Sequence, residues 1–289
     1  MPALPLHRAA PAKLNLGLRV LRRRPDGFHD LDTVFLPLGW ADTVAAAPAR
    51  TLSLACSDPA LPTDGANLVV RAAEALAAWA AAQGRAVPGA ALRLDKRVPY
   101  GAGLGSGSSD AAATLRLLAA LWELDVPEPA LAALALGLGS DVPFFLRGAP
   151  ARARGQGERL TPLLGPDGAG WRCPFWLVVA VPPVHVPTGE AFARVVPDAA
   201  PRPDLAAAVV SGDLARWRAE LANDFQGPVE AAFPGIAAPR RALLGAGAGY
   251  ASLSGSGSAV FGAFAAEAEA RAAARALAAS CRVWVEEPG

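Results

Sequence analysis

Apolar and polar positions alternate early in the chain. In AKLNLGLRVL, Leu14, Leu16, Leu18 and Val20 share one face, which predicts a strand; RRRPDGFHD then supplies a turn, and LDTVFLPL and TLSLACS resume strand character. The period changes in NLVVRAAEALAAWAAAQG. There Leu68, Ala72, Leu76 and Trp79 recur near one helical face, and Gly84 stops the run. ALRLDKRVP alternates again and leads into VPYGAGLGSGSSDAAATL, a glycine- and serine-rich loop. After it, Ala111, Leu115, Leu118 and Trp122 predict a second amphipathic helix with Ser and Asp at its start. A short helix over EPALAALALGLG gives way to SDVPFFLRG, read as a loop and a short apolar strand.

Between residues 148 and 172 the composition turns to Gly, Pro, Arg and Gln, which places a domain change there and predicts domains over 1–155 and 156–289. The second half holds a buried strand, WLVVAV, several Ala-rich helices, another glycine stretch, SLSGSGSAVFGAF, a helix over EAEARAAARALAA and a last strand, CRVWVEE. Strand blocks that precede helices favour α+β over a doubly wound sheet.

A length of 289 residues suits two domains. The net charge of +1 and the even scatter of Arg leave no basic face of the kind that neutralises a phosphate backbone, so nucleic acid is not an expected partner. No apolar run approaches the ~20 residues that span a bilayer, and the N-terminal stretch lacks a signal-peptide core; a cytoplasmic protein without a membrane partner is expected. Cys56, Cys173 and Cys281, and likewise His7, His29 and His185, are too dispersed to suggest a His/Cys metal site. Of 27 basic residues only Lys13 and Lys96 are lysines, and only Asn15, Asn67 and Asn223 are asparagines. An ammonium and a carboxamide have donor geometries that a guanidinium does not reproduce, which singles out these five positions.

A glycine loop that feeds a helix can wrap a phosphate with backbone N–H groups. The dinucleotide fingerprint fails here: its third glycine would fall on Ser106, Ser108 or Asp110. The triphosphatase P-loop fails too, because no lysine lies within or after the loop. A phosphate cradle of another kind and a flexible connection both stay open on spacing alone.

PYGAGLGSGSSDAA resembles the phosphate loop of the GHMP kinases, which phosphorylate small alcohols with ATP. PAKLNLGLRVLRRRPDGFHDLDTVF (11–35), GSDVPFFLRG (139–148) and SLSGSGSAVFGAF (252–264) narrow the resemblance to members acting on a cytidine diphosphate conjugate of methylerythritol. It implies a two-lobed α+β fold, an N-terminal ribosomal-protein-S5-like lobe and a C-terminal ferredoxin-like α/β plait, with the active site in the cleft. Lys13 and Asp141 match the catalytic pair. ATP would be bound by Asn67, Lys96, Pro99 and the run Gly101, Ala102, Gly103, Leu104, Gly105, Ser106, Gly107, Ser108 and Ser109. Ser109 is the candidate ligand for Mg²⁺; Ser108 and Ser109 could equally cap the following helix. For the acceptor substrate, Phe28 would stack on the cytosine without the hydroxyl of the family's usual Tyr, and His29 would bond the base edge. Phe192 would form the second aromatic wall with Thr188 near it, Asn15 and Phe35 would line the site, and Ser254, Gly255, Ser256 and Gly257 would wall the transferred phosphate. Other alcohol kinases such as those for homoserine, or a non-catalytic nucleotide binder on this fold, are the rival readings. A monomer and a homodimer are equally compatible with the sequence.

Overall fold

In the computed structural model, residues 5–289 are described. β1 (Leu6–Arg23) and β2 (His29–Ala49) are followed by β3 (Ser53–Cys56), α1 (Leu68–Ala82), β4 (Gly89–Asp95), α2 (Ser106–Leu121), α3 (Glu128–Leu138), α4 (Val142–Arg147), β5 (Ala151–Gly155) and β6 (Arg159–Pro162). Then come β7 (Trp176–Val181), α5 (Thr188–Arg194), α6 (Leu205–Val210), α7 (Leu214–Glu220), α8 (Gln226–Ala232), α9 (Pro234–Gly245), β8 (Tyr250–Leu253), β9 (Val260–Phe264), α10 (Glu267–Leu277) and β10 (Arg282–Glu286).

Two compact units result. One comprises the chain up to Ala12, Trp40–Tyr100 and Gly105–Gly148; the other comprises Lys13–Gly39, Gly101–Leu104 and Ala149–Gly289. β1 and β2 contribute residues to both, so compactness and sequence order divide the chain differently.

In the first unit β4 pairs antiparallel with the second half of β2, from Thr43↔Asp95 to Ala49↔Gly89, and parallel with β3. Helices α1 to α4 pack together beside these strands. Val69, Ala72, Ala73 and Leu76 of α1 meet Leu115 and Leu118 of α2 and Val44, Leu92 and Leu94 of the strands in one apolar core. The helix starts differ from expectation at two places. α2 begins at Ser106 with Gly105 as its cap residue in the left-handed conformation (φ 69°), so Ser108 and Ser109 sit inside the first turn and cap nothing. SDVPFFLRG is no strand: Pro143 enters the first turn of α4, Val142 and Phe144 are buried, and Gly148 at φ 67° ends the helix. An apolar run this short has no period that separates the two outcomes.

In the second unit β5 pairs antiparallel with the first half of β2, from Leu31↔Gly155 to Phe35↔Ala151, and with β6. The sequence pattern predicts neither strand: small alanines carry the buried face of ARARG in β5, and the four residues of β6 have no buried face to show. Four antiparallel strands in the order β10-β7-β9-β8 form a second sheet, covered by α9 and α10. Its core gathers Val178, Ala180, Phe225, Ile236, Leu253, Val260 and Phe264.

Candidate active site

From Ala12 to Val20 both faces of β1 are buried, not only the leucine face. Strand alternation puts Lys13, Asn15 and Gly17 opposite Leu14, Leu16 and Leu18. A buried ammonium needs partners, and Lys13, 4% exposed, has them. Its Nζ donates to Asn15 Oδ1 at 2.6 Å and to the Gly103 carbonyl at 3.1 Å, and lies 5.1 Å from the centre of the buried Phe35 ring. Asn15 Nδ2 in turn donates to Thr33 Oγ1 at 3.0 Å, and Thr33 donates to the Gly17 carbonyl at 2.5 Å. Both ends of the Asn15 carboxamide are therefore held, and its oxygen is aimed at the lysine.

The first four residues of the glycine loop, Gly101–Leu104, pack onto this group. The Lys13 amide donates to Leu104 O at 2.9 Å, the Ala259 amide donates to Ala102 O at 2.9 Å, and Ser254 Oγ donates to Gly103 O at 3.1 Å while accepting from the Asn15 amide at 3.3 Å. Gly103 has φ +77°, and a methyl group there would run into the Ser254 carbonyl and stand 3.1 Å from both N and O of Gly257. Left-handed backbone and close approach together require glycine. The β8–β9 turn that carries Ser254, Gly255, Ser256 and Gly257 is pinned from behind by Asn223, whose Nδ2 donates to Leu253 O at 2.8 Å and Gly255 O at 2.9 Å.

The rest of the loop belongs to the first unit. The amides of Ser106, Gly107 and Ser108 precede the first α2 hydrogen bond, from Ser109 N to Gly105 O at 3.0 Å, and are the donors a helix N-terminus offers to an anion. Ser108 is half-buried, while Ser106 and Ser109 are buried and the Ser109 hydroxyl has no partner. Pro99 is half-buried. Asn67 caps α1: its Oδ1 accepts from the Val69 amide at 3.0 Å and its Nδ2 donates to Pro62 O at 2.7 Å. Lys96 is sunk between two carboxylates, donating to Asp42 Oδ2 at 2.5 Å and Asp110 Oδ2 at 2.9 Å. Burial, reinforced by Asp42 and opposed by Lys96, pushes the Asp110 carboxyl up to about 7, and its Oδ1 has no partner. The two carboxylates hold Lys96 above its ordinary value against the effect of burial. Asp141 stands at the N-terminal end of α4, half-buried.

At the Asp26–His29 turn the second unit opens a cavity of about 610 Å³ lined by Phe28, His29, Thr188, Phe192 and their neighbours. The His29 and Phe192 rings stack at 4.7 Å and 21°, Phe192 meets Phe225 edge-on at 4.8 Å, and Phe28 is 56% exposed with an open ring face. Burial first, then the positive charge of Arg23, lowers His29 below the usual histidine value, so the imidazole is neutral at pH 7.

The structure thus joins Lys13, Asn15, Phe35, Gly103 and Ser254 in one network, and gathers Phe28, His29, Thr188 and Phe192 around one cavity. Sequence reasoning missed Thr33, Asp42 and Asp110, which carry no signal of their own. The rarity of asparagine singles out Asn223 without giving it a role, and its role is to brace the Ser254 turn.

Two family models match the chain: the GHMP kinases N-terminal domain over residues 67–149 and the GHMP kinases C-terminal domain over 205–283. The chain belongs to the GHMP kinases and is an enzyme of that class. It is 56% identical over 263 residues to a 4-diphosphocytidyl-2-C-methyl-D-erythritol kinase of Salinibacter ruber, covering 90% of each chain. A crystal structure of 4-(cytidine 5'-diphospho)-2C-methyl-D-erythritol kinase matches at TM-score 0.79 and 39% identity, covering 98% of this chain and 99% of the other. Within the GHMP kinases, the chain falls in the family of these two relatives. Homoserine kinase from Cytophaga hutchinsonii, at TM-score 0.72 and 19% identity over 98% and 95% of the two chains, shares the fold.

Proposed function

We propose that this chain transfers the γ-phosphoryl group of ATP to the 2-hydroxyl of 4-diphosphocytidyl-2-C-methyl-D-erythritol, giving the 2-phosphate and ADP, in the non-mevalonate isoprenoid pathway. The observation that carries the substrate is the cavity at the Asp26–His29 turn, which offers an open phenyl face, a neutral imidazole and a hydroxyl to one planar base. Aromatic faces and edge hydrogen bonds are how an unpaired base is held.

Phosphoryl transfer passes through a loose transition state, so positioning and charge neutralisation do most of the work. Lys13 neutralises charge on the moving group, held in place by Asn15 and Gly103 O. Asp141 orients the acceptor hydroxyl and takes its proton. Gly101–Ser109 cradle the phosphates, and Ser254–Gly257 wall the transferred group. The polar ends of Asn67 and Lys96 are already engaged; half-buried Asn67 flanks the adenine as a wall, whereas the Lys96 side chain, buried between Asp42 and Asp110, acts behind the nucleotide site by holding those carboxylates. Among the described residues no group of three or more His, Cys, Asp or Glu could hold a metal ion. Magnesium would be carried by the nucleotide's phosphates, the usual mode for this ion, and the hydroxyl that would hold it is that of Ser109, buried and without a partner, with the half-buried Ser108 beside it. When bound, Mg²⁺ supplies charge neutralisation at the phosphate oxygens. In chain order this reading gives ATP binding to residues 1–155 and the C-terminal lobe to 156–289, with Lys13–Gly39 and Gly101–Leu104 packed in the second compact unit. No helix among the described residues is long and apolar enough to cross a membrane, which accords with work in the cytoplasm.

The test is product analysis by ³¹P NMR after incubation with ATP, Mg²⁺ and either the cytidine conjugate or bare methylerythritol. A new phosphomonoester is expected with the conjugate alone; equal turnover of the bare alcohol would sink the substrate assignment.

A further inference from the structure

Three consecutive arginines stand at the end of β1, and they do not behave alike. Arg22 is bonded to Asp30, and Arg24 is bonded to Asp26 at 3.0 Å and Asp30 at 3.3 Å. Both therefore reach to one side of the strand end. Alternation sends Arg23 to the other side, where it lines the 610 Å³ cavity with Phe28, His29, Thr188 and Phe192. Arg23 is exposed and pairs with no carboxylate among the described residues, whereas Arg194, next to the cavity-lining Ala193 on α5, is taken by Glu190 at 2.6 Å. No Asp or Glu among the described residues lines the cavity, so Arg23 is its single charged side chain.

An apolar, aromatic cavity with one unpaired guanidinium at its edge is complementary to a planar base that carries an anion. Guanidinium forks match phosphate oxygens two at a time, and the bond is stronger than one between neutral groups. We infer that Arg23 is a specificity-determining residue that binds the diphosphate of the nucleotide whose base occupies this cavity. This rests on the cytidine reading above and deepens it: Phe28, His29 and Phe192 select the base, and Arg23 selects its phosphorylated form. Arg23 belongs to acceptor binding and not to the chemical step, so its loss affects KM and leaves kcat in place.

The experiment measures binding of cytidine, CMP and CDP to the wild-type protein and to Arg23→Gln and Arg23→Lys by calorimetry, with ATP as control. Arg23 has no carboxylate partner to lose, so R23Q should fold as wild type, which circular dichroism and a melting curve check. Wild type should bind CDP more tightly than cytidine, and the preference should fall with added salt. R23Q should weaken CDP about tenfold, in line with loss of one charge-assisted hydrogen-bonded contact, leave cytidine and ATP unchanged, and raise KM for the conjugate at constant kcat. R23K should keep part of the preference. Equal affinity of wild type and R23Q for CDP, or equal loss of cytidine and CDP, overturns the inference while the cytidine reading stands. Wild-type protein that binds none of the three overturns the cytidine reading itself, and the role of Arg23 with it.

Discussion

Lys13 Nζ donates to Asn15 Oδ1 at 2.6 Å, so the one lysine of β1 is aimed by the one asparagine two residues along the same strand face. Thr33 holds the other end of that carboxamide. Asn15→Leu keeps the volume and removes the aim. Turnover should fall about 10²-fold, the scale of a small misplacement of a catalytic group, while ATP affinity stays within about threefold. Steady-state kinetics with a direct nucleotide-binding measurement separate the two, and an unchanged kcat would remove Asn15 from the positioning of Lys13.

Asp141→Asn retains size and loses the base. A fall of about 10²- to 10⁴-fold in kcat with nucleotide affinity preserved is the expected result. Wild-type turnover in this variant would show that the hydroxyl needs no carboxylate here.

Gly103 combines φ +77° with a methyl-sized space already filled by backbone of the Ser254 turn. Gly103→Ala should cost at least about 1–3 kcal/mol from left-handed strain alone, and should also weaken ATP binding. Gly137, inside α3 with nothing within 4 Å of the place an added methyl would occupy, is the control: Gly137→Ala should stabilise by about 0.5–1 kcal/mol. Urea unfolding of both variants checks the contrast, and equal effects would contradict it.

The Lys96–Asp42–Asp110 cluster makes stability depend on pH with a defined sign. Burial raises Asp110 from 3.8 to about 7. Between about pH 4 and 7 the folded chain then holds a proton that the unfolded chain has released, so this group's contribution weakens as pH rises, by at most about 1.4 kcal/mol per pH unit. Asp110→Asn should flatten that slope in unfolding curves taken from pH 5 to 8; an unaltered slope would place the titration elsewhere.

His29 sits below the usual histidine value because of burial and the nearby Arg23 charge. KM for the cytidine conjugate should be level from pH 8 down to about 6.5 and rise only below it, where the imidazole takes a proton. In R23Q the rise should begin at higher pH, since one of the two causes is gone. His29→Ala should weaken the conjugate and spare ATP, and equal damage to both would assign His29 to folding.

Much of the fold could be read locally. Strand alternation around Leu14–Val20 and the helical spacing of Leu68–Trp79 and Ala111–Trp122 reappear as β1, α1 and α2, and the glycine stretch at 252–264 falls in the β8–β9 hairpin. These are short-range periods, set by which face of a segment must leave water. The reading failed where the local pattern is ambiguous: the apolar run of α4 is too short to show a period, and alanines hide the buried face of β5.

The site divides along the same line. Residue types and spacing alone excluded the dinucleotide and triphosphatase loops, and the scarcity of lysine and asparagine marked Lys13, Asn15, Asn67, Lys96 and Asn223. What each does depends on partners far away in the chain. Lys13 faces a carbonyl 90 residues on, Asn223 braces a turn 30 to 32 residues on, and Lys96 lies between two aspartates that nothing in the sequence singles out. Burial and pairing energies belong to those tertiary neighbours, so only the folded chain could decide that one rare lysine is poised beside the glycine loop, that the other is locked between carboxylates, and that of three successive arginines the middle one is left to meet a ligand.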